Sequence, residues 1–258
     1  SGSFCASYYP GKLEAHTGMD LPFLPIGNLR QLRAVTDEYY DNPALRAEMK
    51  QWNARYYMSS LLPLYEVVGK GEKPTSLKAF EGMRIRSLGQ QGKAMEKLGA
   101  VPTGVPAPEV YTSLDRGLLD AAAFAYYAHK SYRTFELADW FTSGLALGSI
   151  ACGSMFNLDD WAALPDQYKK LLMDFIDSDM GYPAQIAALE SAEEATPAEF
   201  VKAGLKEWKV NQKERAEFEE IAGKPVWAEW AKQMTDAGYD GDALLKSILD
   251  SAAKHKDL

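Results

Sequence analysis

The segment Met83-Arg84-Ile85-Arg86-Ser87-Leu88 alternates apolar and charged side chains, which predicts a strand with Met83 and Ile85 on one face and Arg84 and Arg86 on the other. Gln90 to Leu98 follows with helical spacing and stops at Gly99, and Ala100 to Val105 resumes an extended course before the turn Pro106 to Pro108. A strand, a helix and a strand in so short a stretch commit the chain to α/β architecture. The same alternation extends both ways. Upstream, Leu45, Met49 and Trp52 fall on one face of an amphipathic helix over Tyr39 to Trp52, and the Tyr-rich run Tyr56 to Tyr65 predicts a strand. Gly69 to Pro74 is a charged turn, and Ser76 to Phe80 a short helical turn.

Downstream, Pro108 and Gly117 bracket a short helix over Glu109 to Arg116. Leu118 to Phe124 then predicts a strand and Ala125 to Ala138 a helix. Tyr168, Leu171, Leu172, Phe175 and Ile176 sit at helical spacing, which predicts one long helix from Trp161 toward Ala195. A strand near Leu205 to Val210 precedes helices at Lys213 to Ile221, Val226 to Ala237 and Asp242 to His255.

Charge narrows the function. With 28 basic against 36 acidic residues the net charge is −8, which disfavours nucleic acid or an anionic membrane surface as partner. A small anion needs only a local positive site. The longest nearly uncharged stretch, Phe141 to Asn157, is broken by three glycines, so it predicts strand and loop rather than the roughly 18–20 apolar residues of a membrane span. No basic region leads into an apolar one at the N-terminus, so the chain is mature or trimmed if it is exported. Cys5 and Cys152 lack CxxC spacing, and two buried thiols are expected rather than a bridge. The terminal His-Lys-Asp-Leu is taken as a helix tail rather than a retrieval signal.

No HExxH, paired Cys/His ligands or G-x-S-x-G elbow occurs, so no metal, cofactor or hydrolase site is expected. Gly89-Gln90-Gln91-Gly92-Lys93 lacks the spacing and the following hydroxyl of a phosphate loop. Cys152 with His129 is set aside as a buried strand thiol and a surface helix histidine. The surviving feature is Arg86, placed at the carboxyl end of its strand. Ligands of open α/β sheets collect there, and a guanidinium can grip a carboxylate with two parallel hydrogen bonds; from the residues alone, an exposed structural arginine is the equal alternative. Phe4, Tyr8, Tyr9, Tyr56, Tyr57, Tyr65, Phe124, Tyr126 and Tyr127 are candidates for an aromatic pocket wall.

Leu77-Lys78-Ala79-Phe80-Glu81-Gly82-Met83-Arg84-Ile85-Arg86, followed by Leu98-Gly99-Ala100-Val101-Pro102, resembles the "DLKGLKIR…LGAxPV" signature of DctP-type solute-binding proteins, the extracytoplasmic receptors of TRAP transporters. Glu109 to Asp120 is similar to "EVYxALqrGvVDG", Asn157 to Tyr168 to "N…W..LP.e.q", Gly238 to Gly241 to "GxDG", and Leu21-Pro22-Phe23 to "LPF". These blocks keep the family's order over nearly the whole chain.

The resemblance implies a two-domain periplasmic-binding-protein-like α/β fold with a hinge cleft, crossing strands near Leu64 and Gly148, and a long domain-spanning helix. Domain I takes residues 1–64 plus 149–190 and domain II 65–148 plus 191–258. Ser1 falls inside the family pattern, after its opening strand, helix and strand. The implied function is binding of a small organic acid in the periplasm and delivery to a membrane permease, by a monomer without cofactor or catalysis. The competing readings are an enzyme using Glu66 and His129 on the same scaffold, or a ligand sensor.

Arg86 occupies the family's carboxylate-pairing position. Phe124 replaces an amide of sugar-acid-binding members, and Glu66 stands where a basic residue can occur. Phe4 and Tyr8 are expected on the opposite cleft wall, with Ser149 on a crossing strand. One anion anchor among few polar partners favours an aromatic or hydrophobic monocarboxylate over sugar acids and dicarboxylates.

Overall fold

The strands divide between two sheets in the computed structural model, which describes residues 1–258. The smaller sheet is antiparallel, with β8 (Cys152–Asn157) between β1 (Gly2–Cys5) and β2 (Ala54–Ser60). The larger has six strands in the order β5 (Val101–Thr103), β4 (Arg84–Arg86), β6 (Ala121–Phe124), β3 (Glu66–Gly69), β7 (Trp140–Ser143), β9 (Lys206–Lys209). β4 runs parallel to both β5 and β6, and α3 (Gly89–Lys97) makes the crossover from β4 to β5. That is the strand, helix and strand expected from residues 83–105.

Each sheet organises its own apolar core. Ile85, Ala121, Phe124, Trp140 and Trp208 bury in the larger lobe, and Phe4, Tyr39, Leu45, Met49 and Trp230 in the smaller. The amphipathic stretch near Tyr39 is two helices, α1 (Leu29–Tyr40) and α2 (Pro43–Gln51), because Asn42 caps a new start ahead of Pro43. α10 (Gly241–Lys254) packs on α1 in the smaller lobe, through Leu244, Ile248 and Ala252. Residues 110–115 form α4.

The single helix expected over 161–195 is three: α6 (Leu158–Ala163), α7 (Asp166–Asp177) and α8 (Tyr182–Lys202). Pro165 cannot continue α6, and at Gly181 a Cβ would lie 2.2 Å from the Phe175 carbonyl oxygen. The helix over Ala125–Ala138 is also shorter. α5 (Tyr126–Ser131) ends before Arg133 at φ 58° and a 3₁₀ turn over Thr134–Leu137. Conversely, the two helices expected at 213–221 and 226–237 are one, α9 (Gln212–Asp236), which passes through Pro225. Its first half buries Phe218 and Ala222 in the larger core and its second half Val226, Trp230 and Met234 in the smaller, so packing at both ends offsets the helix-breaking cost of the proline. α8 spans the lobes as well, with Ile186 against Leu61 and Leu29 at one end and Phe200 against Phe141 and Val68 at the other.

Two extended segments join the lobes. Leu61 to Tyr65 carries the chain out from β2, and Gly144 to Ala151 carries it back to β8. They are bonded side by side: the Tyr65 N–H donates to the Gly148 carbonyl (2.7 Å), the Leu147 N–H to the Tyr65 carbonyl (3.1 Å), and the Ser149 hydroxyl to the Leu62 carbonyl (2.7 Å). Gly148 has φ +128°, and a Cβ there would stand 3.3 Å from the Leu21 carbonyl oxygen, so the close approach of the first lobe requires glycine.

Cys5 and Cys152 form a disulfide, against the expectation of two thiols. Although 147 positions apart in sequence, they are direct partners on β1 and β8, and sheet register rather than local spacing brings them together. Removing both sulfurs (Cys5→Ser with Cys152→Ser) is expected to cost about 2–4 kcal/mol of folding stability. Urea unfolding of the oxidised and the double-variant proteins measures it, and matching midpoints would contradict a structural role.

Candidate functional site

β4, β5 and β6 run parallel, so their carboxyl ends open on one side, and Arg86 and Phe124 are the last residues of β4 and β6. Arg86 is fully buried. Its Nε donates to the Val105 carbonyl (3.2 Å), Nη1 to the Ala123 carbonyl (2.9 Å) and Nη2 to the Tyr8 hydroxyl (3.0 Å). The guanidinium lies over the Phe124 ring, 4.0 Å from its centroid. No carboxylate of the chain pairs with it, although ion pairs occur throughout the rest of the surface. A guanidinium carries five N–H donors, and these three bonds do not exhaust them. A buried cation held only by neutral oxygens is costly unless an anion completes its surroundings.

Arg86 borders a cavity of about 550 Å³ between the lobes. Tyr8, Tyr65, Phe124, Tyr127 and Tyr132 supply aromatic wall, Pro106 to Pro108 and Ile150 aliphatic wall, and the Cys5–Cys152 disulfide closes the small-lobe side. Burial holds the Tyr65 hydroxyl well above the ordinary phenol range, opposed by the Arg86 charge beside it, and burial together with Glu193 pushes Tyr127 up to about 12. Both phenols stay neutral and able to donate. The cavity is suited to a carboxylate at Arg86 with an apolar or aromatic body among the rings.

Of the expected site residues, the structure brings Arg86, Tyr8 and Phe124 together. Phe4 lies in the small-lobe core, its ring against Tyr40 (6.4 Å between centroids) and His16 (6.0 Å). Strand alternation is the reason: Phe4 faces the helices, so Cys5, one residue on, faces the cavity. Glu66 is buried away from Arg86, its carboxylate accepting from Thr142 Oγ1 (2.6 Å), the Ala146 N–H (3.0 Å) and the Leu145 N–H (3.3 Å). Ser149 ties the crossing segments together and faces a different cavity.

Among the aromatic candidates, Tyr9, Tyr65 and Tyr127 reach the Arg86 cavity, whereas Tyr56, Tyr57 and Tyr126 line others. Tyr132 and the disulfide went unrecognised as wall elements. The Ala125–Ala138 helical pattern masked the break after α5 at Tyr132, whose partly exposed ring stacks on Phe124 at 5.6 Å.

His129 is not on the surface. It is fully buried, with Nδ1 2.8 Å from Thr134 Oγ1 and Nε2 3.2 Å from the Glu66 carbonyl oxygen. The carbonyl can only accept, so Nε2 carries the proton and the ring is neutral; burial pushes its pKa down to about 3. With Cys152 in the disulfide and His129 locked in the core, no nucleophile and base meet.

These buried groups set the pH response of the fold. Burial raises Asp20, which accepts from Ser7 Oγ and the Ala151 N–H, to about 7, and it raises Glu66 likewise to about 7. Both hold a proton in the fold that the unfolded chain releases, so their contribution grows as pH falls below about 7 and shrinks as pH rises through it. His129 acts oppositely, because the unfolded imidazole takes up a proton below its ordinary 6.5 and the buried ring does not. Two groups outweigh one. Stability is therefore expected to rise on acidification from about pH 7.5 to about 5.5, and Glu66→Gln to flatten that rise; calorimetric melting temperatures that fall over this window would contradict it.

The fold and cleft define a two-lobed α/β binding protein of the periplasmic-receptor kind. Residues 5–233 match the family described as bacterial extracellular solute-binding protein, family 7 (DctP), and the chain belongs to that family. Among solved structures it is similar to a marine metagenome TRAP solute-binding protein from an unidentified microbe, specific for aromatic acid ligands and complexed with metahydroxyphenylacetate. That protein is 23% identical with a TM-score of 0.85, covering 99% of this chain and 80% of the other. A TRAP solute-binding protein from Rhodoferax ferrireducens with copurified benzoate is 20% identical with a TM-score of 0.86, over 98% and 79% of the two chains. The monocarboxylate 2-oxoacid-binding periplasmic protein of a Nostoc species is 27% identical over 103 residues, which span 37% of this chain but only 27% of that relative's length.

Proposed function

We propose that the chain is the extracytoplasmic solute receptor of a TRAP transporter, a monomer that binds a small organic acid between its lobes and delivers it to a membrane permease without chemical change. The observation that carries this reading is Arg86: a buried guanidinium bonded to neutral oxygens with no counter-charge from the chain, bordering a cavity walled by aromatic rings. The disulfide suits an oxidising compartment such as the periplasm. The solved relatives with aromatic acids share the fold.

The ligand class follows from the walls. A sugar acid or dicarboxylate would bring hydroxyls or a second charge against Phe124, Pro106 and Ile150, at about 1–3 kcal/mol for each buried unpaired group. A benzoate-like monocarboxylate places one charge on Arg86 and its ring among the tyrosines, where ring packing adds about 0.5–1.5 kcal/mol beyond area burial. A thermal-shift panel of benzoate, mandelate, succinate and glucuronate tests this. Stabilisation by the aromatic acids alone is expected, and a response to succinate or glucuronate without one to benzoate would refute the ligand class.

A further inference from the structure

A second cavity, of about 390 Å³, lies across the two crossing segments from the Arg86 cavity. The segments are extended, so successive side chains alternate sides. Tyr65 and Ile150 face the Arg86 cavity, whereas Leu64 and Ser149 face this one, and Leu62 borders both. α8 passes over it, supplying Glu190 and Glu193, and α1 contributes Leu29 and Leu32 from the smaller lobe. The walls are therefore built from both lobes and from the helices that strap them together.

Most of the wall is aliphatic, so an occupant needs an apolar body. The charged side chains decide its head group. Glu190 is paired with Arg30 (3.1 Å), and Arg215 with Glu219 (3.2 Å), so those charges are already answered. Glu66 and Glu193 are not. Glu193 accepts from the Tyr126 N–H (3.2 Å) and the Tyr127 N–H (2.7 Å), Glu66 from Thr142 and the loop after β7, and neither has a basic partner. Glu66 is only 6% exposed. A carboxylate entering here would meet the Glu193 charge in a poorly solvated space, and a neutral molecule would leave Glu193 without a counter-charge. A cation would pair with Glu193, and with Glu66 as that acid gives up the proton it holds up to about pH 7.

The geometry points to this rear cavity as a second small-molecule site, one that takes a protonated amine on a compact apolar body. Its polarity is opposite to that of the Arg86 cavity: the same two crossing segments separate a cationic, aromatic cavity from an anionic, aliphatic one. The two sites accept ligands of opposite charge.

Cyclohexylmethylammonium chloride is a suitable probe, with cyclohexylmethanol as its uncharged counterpart, both titrated calorimetrically into the protein at low ionic strength near neutral pH. Saturable one-to-one binding of the ammonium is expected, about tenfold tighter than the alcohol. Glu193→Gln is expected to lose about tenfold for the ammonium while leaving the alcohol little changed. Leu32→Trp, which fills the cavity without touching a charge, is expected to block both probes. Circular dichroism melts confirm that each variant is folded. The assignment is overturned by no saturable ammonium binding, by alcohol and ammonium binding equally, or by folded Glu193→Gln and Leu32→Trp variants that bind the ammonium as the parent does.

Discussion

Replacing Arg86 by alanine is expected to remove most affinity for benzoate, a loss of about 2–5 kcal/mol, the usual effect of truncating one partner of a buried hydrogen-bonded charge pair. The size follows from the site. Three of the guanidinium's bonds go to Val105, Ala123 and Tyr8, which fix its orientation over Phe124 at the border of the cavity. Arg86→Lys is expected to recover only part of the loss, since an ammonium presents a point charge without the planar two-pronged fit. Arg86→Met keeps the apolar bulk against the Phe124 ring and separates the roles: folding is retained, because replacing a buried charge with a similar apolar volume is often neutral or stabilising, while binding is lost. Calorimetric titration of all three decides; near-parental benzoate affinity in Arg86→Ala would remove the anchor from the mechanism.

Phe124→Ala carries the second large effect. The ring is 2% exposed and touches Tyr65 (6.1 Å between centroids), His129 (5.4 Å) and Tyr132 (5.6 Å) as well as Arg86. Truncation opens a gap in this aromatic cluster, at about 3–5 kcal/mol of stability for a buried Phe→Ala change. It also withdraws the surface on which the guanidinium rests, so benzoate affinity falls with stability. A Phe124→Leu variant keeps most of the volume and is expected to recover most of the stability but not the ring packing. Urea unfolding and benzoate titration together separate the two contributions. A Phe124→Ala midpoint equal to the parent's would show that the cluster does not stabilise the fold.

Local pattern carried the framework because the relevant forces there are local. The β4–α3–β5 unit, the turn at Leu77–Phe80, β9 and α10 were legible from alternation, helical spacing and glycine or proline stops. The strand end at Arg86 was legible for the same reason, but alternation alone left it an even choice between ligand anchor and exposed structural arginine, and the family resemblance supplied the anchor reading. The errors lie where distant contacts decide. α9 continues through Pro225 because two separate cores hold its halves, which no window around the proline reveals. The break before α7 had a visible signal in Pro165, outvoted by the spacing of Tyr168 to Ile176.

The site divides in the same way. A one-residue choice of face sends Phe4 into the core and Cys5 to the cavity, and that choice depends on which side of β1 the helices cover. Glu66 sits one position beyond Tyr65, yet its carboxylate is drawn to three donors from β7 and the loop that follows, across about 80 residues of sequence. The disulfide depends on the register of β1 against β8, which makes direct partners of two residues 147 positions apart.

The lobes and the anchor make one geometric demand on a bound ligand. The crystal structure of the protein with benzoate tests it: the carboxylate is expected to lie against Arg86 through two parallel N–H···O bonds of about 2.7–2.9 Å, with the ring among Tyr65, Phe124 and Tyr127. Benzoate held elsewhere, or in this cavity with its carboxylate turned away from Arg86, would contradict the assignment of the cleft.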